Sequence, residues 1–137
     1  MPNTFNQQVI EEFRANGGRV GGMFEGSPLV LLTTTGARSG RPVTSPVMYL
    51  SDGERYVVIA SNGGADNHPA WYHNLRANPV ATAEVGAETF EVKAEFVEGE
   101  ERDALYARMV EQAAGFAEYE ARTTRRIPVV ALYRTRD

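Results

Sequence analysis

The sequence predicts an antiparallel α+β domain whose strands close into a barrel. About six β-rich runs recur along the chain, mostly joined across short polar or glycine-containing turns, as hairpins are. Helical apolar spacing appears at the N-terminus, in the middle and late, without the strand–helix alternation of a βαβ protein. Short strands in that number would leave open edges in a flat sheet, and closure into a barrel removes them.

Residues 4–16 carry Phe5, Val9, Ile10 and Phe13 on one helical stripe, with Gln7, Gln8, Glu11, Glu12 and Arg14 facing away. Asn16-Gly17-Gly18 is a helix stop. The glycine-rich stretch 19–27, with Met23 and Phe24, reads as a core-anchored connector or as a cover over a flat ligand. Leu29 to Thr35 is apolar and β-branched, a strand buried on at least one face. It empties into a turn in which Gly36 and Gly40 are expected to allow positive φ beside Arg38, Ser39 and Arg41. Strands then follow over 42–50 and 55–60 across the hairpin turn Ser51-Asp52-Gly53-Glu54.

A second small, polar loop spans 61–67, and Pro69 suits the first turn of a helix over 68–78. Trp71 and Leu75 share one side of that helix, and Asn78-Pro79 closes it. Strands 80–85 and 89–97 form another hairpin. In the second, Phe90, Val92, Ala94 and Phe96 alternate with Glu91, Lys93 and Glu95, one face buried and one wet. A helix over 99–115, a short polar helix or turn over 116–126 and a strand over 129–133 complete the chain. With no repeat, linker or low-complexity tract, 1–137 reads as a single domain.

Composition excludes several functions. The net charge is −4, which argues against a nucleic-acid partner. There is no cysteine, so disulfides, thiolate metal sites and cysteine nucleophiles are absent. His68 and His73 do not share a helix face, so no metal is expected. Neither a transmembrane segment nor a signal peptide is legible, and a cytoplasmic protein is expected, with membrane contact if its substrate is a lipid. Ser39 sits in G-A-R-S-G, not in the nucleophile elbow of hydrolases. Neither glycine loop is a Walker A or dinucleotide fingerprint. What remains is a flat anionic ligand, held by Arg38 and Arg41 and by the polar loop 61–67, with Trp71 as an aromatic wall or as a core residue.

The strings T-T-T-G-A-R-S-G-R-P-V-T-S-P and A-S-N-G-G-A-D-N-H-P-A-W-Y-H-N-L resemble the deazaflavin-dependent nitroreductase family of actinobacteria. The resemblance runs from about Phe5 through Tyr133. It implies a split β-barrel, related to pyridoxamine-phosphate-oxidase-like barrels, and coenzyme F420. It also implies hydride transfer from the reduced deazaflavin to a quinone, enone or nitro acceptor. On the family's motifs, Arg38, Ser39 and Gly40, with Arg41 close by, meet the coenzyme phosphate and tail. Pro46 lies beside the coenzyme, and Ser61, Asn62, Gly63 and Gly64 form the second loop. Pro69, Trp71 and Asn74 fall in the P-x-W-Y-x-N-L segment, with Trp71 against the deazaflavin. Ser61 and Tyr119 are the candidate hydrogen-bond donors to the acceptor, and Met23 or Phe24 would bound its space. The chain departs from the family at Ala37-Arg38, where many relatives have two basic residues, and at Asn62, where a lysine is expected. Phe116 stands where nitroimidazole-reducing members carry a tyrosine. A non-catalytic F420 carrier and a flavin mononucleotide oxidoreductase on the same barrel remain open alternatives, as do a monomer and a homodimer.

Overall fold

The computed structural model describes residues 4–21 and 28–135. Met23, Phe24 and the Phe5 side chain lie outside the described residues. The strands are β1 (Leu29–Thr35), β2 (Pro42–Asp52), β3 (Arg55–Ile59), β4 (Val80–Val85), β5 (Glu88–Val97) and β6 (Val129–Arg134). They form one closed antiparallel barrel in the order β1-β2-β3-β6-β5-β4, with β4 returning to β1. Four helices flank it: α1 (Thr4–Ala15), α2 (Ala70–Ala77), α3 (Gly99–Gln112) and α4 (Gly115–Ala121). Among the described residues, no helix is long and apolar enough to cross a membrane.

Alternation along each strand sorts the side chains. Val30, Leu32, Val58, Val92, Val130 and Leu132 point into the barrel, and Trp71 and Leu75 of α2 plug one end of that core. The opposite faces of β3, β5 and β6 are covered by Leu105, Tyr106 and Met109 of α3 and by Phe116 of α4. α1 lays Val9 and Phe13 over Leu29 and Leu31 of β1. The same helix is clamped to β4 by Arg14, whose Nε and Nη2 donate to the two Glu84 carboxylate oxygens at 3.0 and 2.8 Å.

Two departures from the sequence reading have local causes. β2 runs two residues further, to Asp52, because Asp52 pairs with Arg55 across the turn and accepts from the Arg55 Nε at 2.7 Å. The loop 61–67 contains a 3-10 turn at Asn62–Gly64, too short to leave any apolar period in the sequence.

α1 ends where Gly18, at φ +98°, donates its N–H to the Phe13 carbonyl. A β-carbon there would come 2.6 Å from the Gly86 Cα of the β4–β5 turn, so a side chain is opposed by both backbone conformation and contact. Gly53 in the β2–β3 turn also has positive φ, +62°, but open space around it. Gly18→Ala should therefore cost about 2–3 kcal/mol and Gly53→Ala about 1 kcal/mol. Urea unfolding midpoints of the two variants measure the difference, and equal losses would mean that the Gly18–Gly86 contact yields freely.

Candidate functional site

β1 and β3 both run antiparallel to β2, so their C-terminal ends, and the two loops that follow them, lie at the same rim of the barrel. β2 lies between the two strands that these loops follow. The β2–β3 ladder holds only Tyr49–Asp52 against Arg55–Val58, so the first half of β2 runs on without β3 beside it. A cavity of about 400 Å³ opens at that gap.

Its walls come from five elements. Ser45, Pro46, Val47 and Met48 line it from β2, and Ile59, Ser61 and Asn62 from the end of β3 and the following loop. Pro69, Ala70 and Trp71 enter with the start of α2, and Phe116 and Tyr119 from α4, with Asn6 of α1 at the margin. Tyr49 donates its N–H to Pro28 at 3.0 Å, so the odd residues of β2 bond toward β1. Strand alternation then turns the Pro46 carbonyl and the Met48 N–H toward the gap, while the Met48 carbonyl faces Ile59 at the end of the ladder. Pro46 faces Leu31 at a position where a missing N–H costs the β1–β2 ladder nothing.

Of the residues singled out in the sequence, Pro46, Ser61, Asn62, Pro69, Trp71 and Tyr119 border this cavity, and Arg38, Ser39, Gly40, Arg41, Gly64 and Asn74 do not; the surroundings of Gly63 lie outside what is described. Trp71 answers to both of its readings, being 7 % exposed in the barrel core and also part of the cavity wall. Ser61 is likewise 7 % exposed. Neither its hydroxyl nor that of Tyr119 has a hydrogen-bond partner among the described residues. Phe116 meets Tyr119 edge to face, with ring centroids 5.3 Å apart.

The arginine turn is tied to the site through Asn74. Its Oδ1 accepts from the Ala37 N–H at 2.9 Å, and its Nδ2 donates to the buried Thr34 hydroxyl at 3.0 Å. Both ends of the amide are thus engaged within the protein, three residues along α2 from Trp71. Gly40 has positive φ, +72°, as expected. Gly36 does not, and its need is for space: a β-carbon there would meet the Ser39 hydroxyl at 2.6 Å. That hydroxyl accepts from the Arg41 N–H at 3.1 Å and so belongs to the turn itself. Arg38 and Arg41 are exposed, and neither forms an ion pair among the described residues.

The second loop is packed tightly. The Gly64 N–H donates to the Ser61 carbonyl at 2.9 Å, so it is spent inside the turn rather than offered to an anion. Its φ of +85° and the nearness of Tyr119, whose backbone would lie 3.1 Å from a β-carbon, explain the glycine. Asn62 takes φ +49° and donates from Nδ2 to the Asn67 carbonyl at 3.1 Å.

Sequence reasoning missed Ser45, Met48 and Ile59, whose strand alternation was legible but not the gap beside them. It also missed Arg125, which donates to the carbonyls of Ala60, Ser61 and Ala65 and to the His68 Nδ1. The only signal for Arg125 was an arginine just before a buried strand.

A cavity beside an open strand edge, with an aromatic wall, two hydroxyls that have no partner among the described residues and, at the same rim, arginines with no ion pair among them, has the donor set that a flat, anionic heterocycle requires. The F420H(2)-dependent quinone reductase family model matches residues 6–134. The chain belongs to that family. The coenzyme is F420, used in its reduced form, and the reaction is reduction of a quinone. An F420H(2)-dependent quinone reductase of Mycobacterium tuberculosis is 41% identical over 128 residues, covering 89% of this chain and 85% of its own. A solved F420-H2 dependent reductase (FDR-A) is 40% identical with a TM-score of 0.70, over 77% of this chain and 93% of its own. A putative pyridoxamine 5′-phosphate oxidase from Listeria innocua shares the fold at 12% identity and a TM-score of 0.59, over 80% of this chain and 85% of its own. The split β-barrel expected from the sequence is the fold observed.

Burial first, then the Arg125 charge and His73, hold the His68 imidazole below the usual histidine pKa. A lowered folded-state pKa means that the unfolded chain binds more protons once pH falls to the unperturbed value near about 6.5. The stability that neutral His68 contributes is complete above that pH, falls as pH drops through it, and levels off below the folded-state pKa. The urea midpoint of the protein should drop between about pH 7.5 and about pH 5.5, and His68→Gln should flatten the drop. An equal fall in both proteins would assign it to other groups.

Proposed function

We propose that the cavity at the β2–β3 gap holds the deazaflavin ring of F420 together with the quinone, and that the anionic tail leaves over the β1–β2 turn. The observation that carries this reading is the stretch of β2 without β3 beside it, in a cavity shared with two hydroxyls that have no partner among the described residues, at the rim that bears the arginine turn. When bound, the reduced deazaflavin supplies the hydride. The protein's task is then orientation, exclusion of water and stabilisation of charge on the acceptor.

Each residue has a part in this scheme. The Pro46 carbonyl and the Met48 N–H offer an acceptor and a donor that the edge of a heterocycle can pair with, as another strand would. Trp71 and Pro46 bound the ring space. Arg38 and Arg41, with Ser39 and Gly40 shaping the turn between them, attract the phosphate and carboxylates of the tail. Asn62 and Gly63 lie on the path between ring and turn. Asn74 and Gly64 act by position, the first setting the turn on α2 and the second setting the loop against α4. Ser61 and Tyr119 donate hydrogen bonds to the acceptor oxygen as negative charge develops, each contribution worth ~10²–10³ in rate when it is the main donor.

Enones and nitro compounds are further acceptors of the same electron-poor kind. The Phe116 ring in the cavity wall cannot donate a hydrogen bond, so a nitro group that needs two donors is served less well than a quinone oxygen.

Fluorescence titration with F420 and with flavin mononucleotide, followed by optical reoxidation of reduced F420 with menadione, tests the reading. The expected result is tighter binding of F420 and enzyme-dependent turnover. Equal or stronger binding of flavin mononucleotide would favour the flavin alternative. Tight F420 binding without turnover on any quinone would favour a carrier.

Acceptor preference is checked separately. Quinones should be reduced faster than nitroimidazoles, and Phe116→Tyr should narrow the ratio by up to about tenfold, since a new donor at this wall need not reach full alignment. A ratio left unmoved would show that position 116 does not meet the acceptor.

A further inference from the structure

Ser61 has to present its hydroxyl from a loop with positive-φ residues, a setting in which backbone position is not self-determined. The loop is held from outside by the segment that follows α4. Arg125 donates from Nε to the Ala65 carbonyl at 2.8 Å and from Nη2 to the Ser61 carbonyl at 2.7 Å. Longer bonds of 3.3 Å run from Nη1 and Nη2 to the Ala60 carbonyl, and Nη1 lies 2.9 Å from the His68 Nδ1. One planar fork thus touches the loop at its start, its middle and the residue before Pro69. Thr123 adds a bond from its hydroxyl to Asp66 at 2.9 Å and accepts the Arg125 N–H at 3.3 Å. Gly64 closes the other side against the Tyr119 backbone.

Arg125 has no carboxylate partner among the described residues. Its hydrogen-bonding capacity goes to carbonyls and a neutral imidazole, all belonging to the segment that carries Ser61 and Asn62 into the cavity. A guanidinium used only to neutralise an acid would be anchored by that acid. This one is anchored by the loop, and the rigid fork fixes where the carbonyls, and hence the Ser61 Cα, can lie.

We propose that Arg125 is the positioning residue for Ser61: its fork sets the Ala60–Ala65 backbone so that the Ser61 hydroxyl is aimed at the acceptor oxygen. The proposal rests on the donor role assigned to Ser61 above. Lysine at 125 keeps the charge but supplies a single ammonium point in place of the fork, so it separates geometry from electrostatics.

A double-mutant cycle on turnover of reduced F420 with menadione tests it, using the wild type, Ser61→Ala, Arg125→Lys and the double variant. Arg125→Lys should lower kcat about ten- to a hundredfold, the cost of misplacing a catalytic group by roughly an ångström, while F420 affinity by fluorescence changes little. In the Ser61→Ala background the same substitution should have almost no further effect. Arg125→Ala should regain part of its kcat on addition of guanidinium chloride well below denaturing concentration, and not on addition of equal sodium chloride. Thermal melts of each variant show that the protein is folded at the assay temperature. If Arg125→Lys lowers kcat equally with and without Ser61, or leaves kcat unchanged while Ser61→Ala lowers it, Arg125 does not act through Ser61 and the proposal falls alone. If Ser61→Ala is silent, the donor role of Ser61 falls, and the positioning role falls with it.

Discussion

β2 is eleven residues long and β3 only five, so the two strands part at Tyr49. Backbone hydrogen bonds beyond that point have nowhere to go within the ladder, and a strand edge left in this state is costly unless solvent or a ligand meets it. The site follows from that mismatch. It creates the cavity, turns the Met48 N–H and the Pro46 carbonyl into it, and leaves room for the chain after Ile59 to swing out as the loop carrying Ser61. Proline at 46 fits because the position has no N–H to satisfy on the β1 side.

α2 binds the two halves of the site into one body. Trp71 and Leu75 plug the barrel core, which fixes the helix by apolar burial. From that fixed helix, Asn74 reaches the β1–β2 turn and uses both ends of its amide there. A short polar side chain on a well-packed helix is a stiff connector, since little rotamer freedom remains once both hydrogen bonds are made. The arginine turn therefore stands at a set distance from the aromatic wall, although it does not line the cavity.

The arginine turn differs from the acid-paired arginines found elsewhere on the barrel surface. Several arginines elsewhere are paired with acids: Arg14 with Glu84, Arg55 with Asp52 and Glu101, Arg102 and Arg126 with Asp103, Arg108 with Asp52. These pairs hold the Asp52 and Asp103 carboxyls below the usual range. Arg38 and Arg41 have no such partners among the described residues, and Arg125 is satisfied by carbonyls. In a chain of net charge −4, the exposed Arg38 and Arg41 thus keep their charge available to an anion at the β1–β2 turn.

By itself the sequence determined the strands, the amphipathic helices and the membership of an F420-binding family. Each of these depends on local pattern, such as the alternation of Phe90, Val92 and Ala94, or on a contiguous string, such as G-A-R-S-G-R-P. It also named Trp71, Ser61 and Pro46, because each lies in such a string, and Tyr119, from the tyrosines that precede the last strand in related proteins. Only the tertiary structure decided what the intervening residues do. Asn74 and Gly64 were read as coenzyme contacts, yet the Asn74 amide is consumed by Thr34 and Ala37, forty and thirty-seven residues away, and the Gly64 N–H by Ser61. Arg125 was unremarked because its partners lie about sixty residues earlier in the chain. The physical reason is common to all three. A hydrogen-bonding side chain advertises its type in the sequence, but its partner is chosen by which strands and loops the closed barrel brings beside it.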